Sequence, residues 1–172
     1  MHLIQKELNR LVKYGEALGL KVGFVDVKKL DCEAYYIEPY KFEPGIIKVG
    51  RGPSTSLTYQ IASLLHELGH HIDFTETKKL VNSYEFLDED NTKTAPDWAR
   101  RAIYNAERRA VKIADRLYRE LALRIPYWKI KRELDCDLYC YGMYKRKSRF
   151  PNAKEWASWR KKWKKRNKNL IL

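Results

Sequence analysis

Ile4, Leu8, Leu11 and Leu18 recur near helical spacing, which predicts a first helix over residues 2–18. Gly19 can end it in a left-handed conformation. The stretches KVGFVDV (21–27), CEAYYIE (32–38) and IIKVG (46–50) are short, rich in Val, Ile and Tyr, and separated by polar breaks. They predict three strands in an antiparallel meander. RGPSTS (51–56) is a break followed by helix-capping residues, and a second helix is expected over about 55–75, with Leu57, Ile61, Leu64, Leu65, Leu68 and Ile72 on its apolar face. Residues 76–96 are polar and acidic and read as a long loop, a length that suggests function. A third helix starts near Pro96 and stops before Pro126, with Ala99, Ile103, Ala106, Ala110, Ala114, Leu117 and Leu121 forming its stripe. A fourth covers about 127–144, with Ile130, Leu134, Leu138 and Tyr141 inward, and the tail is expected to form a last short helix. The pattern predicts an α+β domain over residues 1–150, a small antiparallel sheet packed on helices. Residues 151–172 follow as a basic helical extension.

The composition supports a folded chain. Five Trp, twelve Tyr and five Phe supply bulky core material that a disordered chain lacks. No apolar run is long enough to span a membrane, and the charged N-terminus lacks the apolar centre of a signal peptide. Three cysteines, with Cys136 and Cys140 one helical turn apart, make a poor disulfide framework, so a reducing cytoplasm is the expected compartment. At that spacing the two thiols could bind metal, but small core or half-exposed roles are the commoner ones, and Cys32 reads the same way.

The second helix carries HELGH, residues 66–70. Positions four apart lie one above the other, so His66 and His70 can hold one metal ion together. Tetrahedral Zn²⁺ needs a third protein ligand and leaves a fourth position for water. Glu67 lies about 100° around the helix and points beside the metal, where it can take a proton from water. Such a triplet also arises by chance on helices. Three of the four histidines fall at positions 66, 70 and 71, which favours a site. His71 itself reads as a surface or supporting residue. Tyr59, Ala62, Ser63 and Asp73 share the histidine face, and its small residues leave room for a substrate. Gly69 costs the helix about 1 kcal/mol relative to Ala, which suggests that something packs or binds closely there.

The third ligand must come from elsewhere. A continuation H-E-x-x-H-x-x-G-x-x-H is ruled out, because Asp73 stands at the glycine position and Glu76 at the last. Glu107 falls within the apolar stripe of the third helix, where a carboxylate needs a strong partner, either a metal or a buried arginine. Glu133 and Asp137 are the next candidates. Asp73 is placed to orient a ligand histidine from behind, and Tyr104, one turn before Glu107, is the candidate transition-state stabiliser.

HELGH, followed about forty residues later by a helix of the form E-x-x-A-x-x-x-A, resembles the ImmA/IrrE family of metallopeptidases. The family's helix reads approximately E-x-x-A-N-x-F-A-x-x-L; Glu107, Ala110, Ala114 and Leu117 match it, Ile113 replaces the aromatic residue, and Val111 replaces the asparagine. The proline that usually follows is displaced to Pro126. The match covers roughly residues 1–125. The resemblance implies a minimal zincin-like core and a Zn²⁺-dependent endopeptidase, of a kind often acting on a repressor or transcription regulator. His66, His70 and Glu107 would hold the metal, and Glu67 would act as general base.

The formal net charge of +13 attracts nucleic acid, acidic proteins or anionic surfaces. Much of it is local, since RKKWKKRNK (160–168) holds seven positive charges. Lys161, Lys162, Lys164, Lys165 and Arg166 are the candidate nucleic-acid contacts. Trp156, Trp159 and Trp163 recur at helical spacing. Docking on the domain is the ordinary reading; stacking on single strands, phosphate contacts on duplex DNA and lying on a membrane are the others. The competing reading for the whole chain is a basic nucleic-acid- or protein-binding module on an inactive zincin scaffold.

Overall fold

The computed structural model describes residues 3–26, 34–39, 43–53, 55–77 and 94–171. The elements run α1 (Leu3–Ala17), β1 (Lys21–Asp26), β2 (Ala34–Ile37), β3 (Ile46–Arg51), α2 (Leu57–Thr77), α3 (Asp97–Glu120), α4 (Tyr127–Lys147), α5 (Ala153–Arg166) and α6 (Lys168–Ile171). The fold is mixed α+β with a small three-stranded sheet. Gly19 ends α1 with φ at 81°, a conformation that glycine adopts without a Cβ clash.

The sheet differs from the expected meander. Its order is β1-β3-β2, with β1 parallel to β3 and β2 antiparallel to it. The reason is burial. β3 carries the fully buried Ile47 and Val49, with half-exposed Ile46 and Lys48 alternating before them and Gly50 also buried, and none of the described residues of β1 or β2 is buried to that degree. The most apolar strand takes the centre, where both edges are hydrogen-bonded. β1, which contains Gly23, and the four-residue β2 are left at the edges. A parallel pair cannot be closed by a tight turn, and the chain between β1 and β3 includes β2.

α2 is the central helix and packs on α1, α3, α4, β2 and β3. Eleven of its 21 residues are buried, among them Gln60, His66, Glu67, His71 and Asp73, so its polar side chains need partners inside the protein. Of the expected α3 stripe, Ala99, Ile103, Ala106, Ala110, Ala114 and Leu117 are all buried, with Glu107 among them, while Leu121 is the half-buried C-cap just past the helix. Small residues let α3 approach α2 closely. A Cβ added to Gly69 would overlap the Ala110 carbonyl, so the cost of glycine in α2 is accepted for backbone contact with α3.

α5 is docked. Asn152 and Glu155 form a capping box at its start, and Glu155 also receives Lys147 and Arg149. The Trp163 indole N–H donates to Asp135 Oδ2 at 2.7 Å, and Trp159 stacks on Tyr139 of α4. Phe150 stacks on Tyr144. No helix among the described residues is long and apolar enough to cross a membrane. Cys136 and Cys140 are half-buried, and Cys32 and residues 78–93 of the expected long loop lie outside the described residues.

Candidate metal centre

His66 and His70 stand one turn apart on α2, with their Nε2 atoms 3.0 Å from each other. Glu107 reaches them from α3: its Oε2 is 2.9 Å from His66 Nε2 and its Oε1 is 3.5 Å from His70 Nε2. The contact between Gly69 and Ala110, one residue from His70 and three from Glu107, sets this separation of the helices. Bond lengths of 2.0–2.1 Å in a tetrahedron imply ligand–ligand edges of about 3.3 Å. The histidine nitrogens lie 3.0 Å apart, and each has one Glu107 oxygen at 2.9 or 3.5 Å, so small side-chain shifts reach that value; two imidazoles with one carboxylate are a common zinc donor set. The residues fit Zn²⁺. Glu107 is only 1% exposed, so its charge must be met where it stands.

Electrostatics follow from the same crowding. Burial alone would lower the pKa of His66. The hydrogen bond and charge of Glu107, with the charges of Asp137 and Glu67, outweigh burial and lift it to about 10. Burial pushes Glu107 up, but His70 and His66 hold its carboxyl well below the usual range. Burial raises Glu67; His66 and His70 oppose that, Glu107 adds to it, and the net direction is up.

These directions give a pH dependence. Zn²⁺ coordinates neutral imidazole, so an ion entering this group would have to displace a proton from His66. The folded pKa of His66 lies above its unfolded value of 6.5. In chelator, its contribution to stability is therefore complete below the unfolded value and is lost as pH rises through about 10. Apparent zinc affinity should run the other way across that window, rising by about tenfold per pH unit for one displaced proton. Calorimetry at pH 7 in buffers of differing ionisation enthalpy should show about one proton released per zinc from this group. Binding without proton release would contradict the His66–Glu107 ion pair.

The other expected residues are placed differently. Asp73 does not orient a ligand histidine. Both its oxygens accept from Arg109 Nε, at 2.8 and 3.0 Å, because the C-terminal turns of α2 face α3 and Arg109 lies two residues past Glu107. His71 meets the Tyr36 hydroxyl of β2 through Nδ1 at 3.0 Å, a supporting contact between helix and sheet. Tyr104 lies under the Lys145 ammonium at the seam of α3 and α4. Glu133 pairs with Arg132. Cys136 and Cys140 are not part of the metal-binding group found among the described residues.

Two residues of α4 complete the surroundings. The buried His66 Nδ1 has no hydrogen-bond partner, and Asp137 Oδ2 is 3.7 Å from it. Asp137 thus approaches the ring edge opposite the Nε2 that meets Glu107, which suits an orienting partner better than a ligand. Tyr141, one turn further on, is the phenol on which the site's carboxylates act. Burial, then the charges of Glu107, Asp137 and Glu67, keep it protonated. The i, i+4 spacing of Asp137 and Tyr141 beside the inward Leu134 and Leu138 was the sequence signal for this polar strip. A comparison of the chain with protein-family models, curated proteins and solved structures found no match in any of the three.

Proposed function

We propose that the chain is a zinc-dependent endopeptidase with a zincin-like core, of the ImmA/IrrE type that its two motifs resemble. The observation that carries this reading is the convergence of His66, His70 and Glu107 from two helices, with Glu67 buried beside them. His66, His70 and Glu107 would hold the ion, and Zn²⁺ bound there would supply the Lewis acidity that lowers the pKa of water and polarises a carbonyl. Glu67 takes the proton of the attacking water and passes it to the leaving amine. Its raised pKa suits both halves of that exchange. Asp137 stands 3.7 Å from His66 Nδ1, where its charge favours a proton on that nitrogen and leaves Nε2 to face the metal. The substrate class is a protein, a transcription regulator by the resemblance, and the compartment is a reducing cytoplasm.

One observation favours a second reading. The described surroundings bury His66, Glu67 and Glu107 to 7% exposure or less, as in a closed structural zinc site. That outcome corresponds to a binding module on an inactive scaffold. Quenched peptide pools and an unfolded protein, incubated with zinc or with chelator and followed by mass spectrometry, separate the two. Cleavage should require zinc and return when stoichiometric zinc follows chelation. Tight zinc binding without cleavage of any pool would favour the inactive scaffold.

A further inference from the structure

We propose that the outer face of α5, together with the cations lining the groove between α3 and α4, is a binding surface for the phosphate backbone of duplex DNA. The inference does not depend on peptidase activity. Residues 151–172 contain eight Lys or Arg and a single acid, Glu155. Glu155 is held by Lys147, Arg149 and its own helix cap, so it does not neutralise the outer face. Arg160, Lys161, Lys162, Lys164, Lys165 and Arg166 are all exposed, and among the described residues none has an acidic partner.

The aromatic side chains decide which polyanion fits. Trp156, Trp159, Trp163 and Asn167 form the inward stripe of the helix. Trp163 is 5% exposed and tied to Asp135, and Trp156 and Trp159 both pack on the Tyr139 ring. Trp163 is buried, one face of Trp159 is covered by Tyr139, and Trp156 packs edge-on against both rings, so all three are engaged within the protein. They are not an open platform for single-stranded bases, and they are not free to enter a lipid interface. What the helix presents outward is charge on a docked frame. Residues 160–168 span about 13 Å, over which a duplex carries about eight phosphates at one per ~1.7 Å. Seven cations over that length are of comparable density.

The groove extends the surface. It has a volume of about 270 Å³ and is lined in part by Arg108, Lys112, Lys131, Asp115 and Asp135. Asp115 is engaged by Tyr127 and Arg119, and Asp135 by Lys131 and Trp163. Arg108 and Lys112 are exposed and have no acidic partner among the described residues. Asp135 both lines the groove and anchors Trp163, so the basic end of α5 lies at the groove's rim.

The test is fluorescence anisotropy of the full chain with a mixed-sequence duplex of about 20 base pairs, from 50 to 200 mM KCl. About six phosphate contacts predict a loss of about 10³-fold in affinity over that range. The triple variant Lys161→Gln, Lys164→Gln, Lys165→Gln should bind at least about tenfold more weakly at 50 mM and lower the salt slope by about 2.7. Its tryptophan fluorescence and zinc affinity should be those of the parent. Arg108→Gln with Lys112→Gln should lower the slope by about 1.8, and an unchanged slope there would overturn the groove's share of the surface. Absent or salt-insensitive duplex binding, or a parental slope in the triple variant, overturns the proposal. So does tighter binding to a single strand with tryptophan quenching, which points to stacking. Tighter binding to phosphatidylserine vesicles than to duplex overturns it in favour of a membrane surface.

Discussion

Glu67→Gln is expected to lower peptide hydrolysis by about 10²–10⁴-fold while leaving fold and zinc affinity close to parental. The amide has the shape of the carboxylate but cannot accept a proton from water. Glu67 is buried, so its replacement must be judged for packing and charge together. Packing is preserved because Gln is nearly isosteric. Charge changes in a favourable direction, because burial opposes ionisation of Glu67 and a neutral side chain avoids that cost. A small effect on zinc is also expected. The Glu67 charge is one of the causes that raise His66, so its removal lowers the competing proton affinity. The same charge also attracts Zn²⁺, so the two effects oppose each other and zinc affinity at pH 7 should stay close to parental. The measurements are turnover of the best peptide, zinc titration and melting in chelator. Parental turnover would remove Glu67 from the chemistry. Lost turnover with lost zinc would show that Glu67 supports the metal rather than moving a proton.

The site was legible where one helix carries it. The spacing of His66, Glu67 and His70 is a property of α2 alone, and the apolar stripe around Glu107 is a property of α3 alone. Gly69 was legible as an anomaly, and the structure supplies its cause in the Ala110 carbonyl. Partners across elements were less legible. The expectation for Asp73 followed from its distance to His70 along α2, but the contact that decided it was Arg109, brought in by the close approach of α3. The sheet order was hidden for a similar reason. Alternation marks the faces of β1, β2 and β3 but not which edges pair, and the parallel β1–β3 register depends on which strand is most deeply buried. Tyr141 was read as an inward residue without a role, because the acidic group it faces comes from three different helices.

Glu107→Gln should weaken zinc binding by about 10²-fold or more, beyond the ~10–100-fold that loss of an outer-shell partner costs, while the fold in chelator changes much less. The carboxylate is the anionic member of the donor set and faces both imidazoles. Removing one charge of a buried pair often costs about 3–5 kcal/mol, because the partner is left charged and unpaired. Here the partner can escape that cost. Glu107 supplies the largest influences that raise His66, and burial acts the other way. Without Glu107, only the charges of Asp137 and Glu67 still oppose burial, so His66 gives up its proton more readily and the side chain left behind can be neutral. The variant should therefore melt close to the parent in chelator at pH 7 and well below it in zinc. At fixed free zinc far above the parental Kd, a hundredfold weaker site forfeits about 2.7 kcal/mol of metal-derived stability. Stability in chelator should also lose its dependence on pH between the unfolded histidine value and about 10, because the group responsible no longer titrates there. The opposite result, parental zinc affinity with a much lower melting point in chelator, would make Glu107 an ion-pair residue. The third ligand would then have to come from outside the group formed by His66, His70 and Glu107. Asp137 would be a poor replacement, since it approaches His66 from Nδ1, and Glu133 is already paired with Arg132.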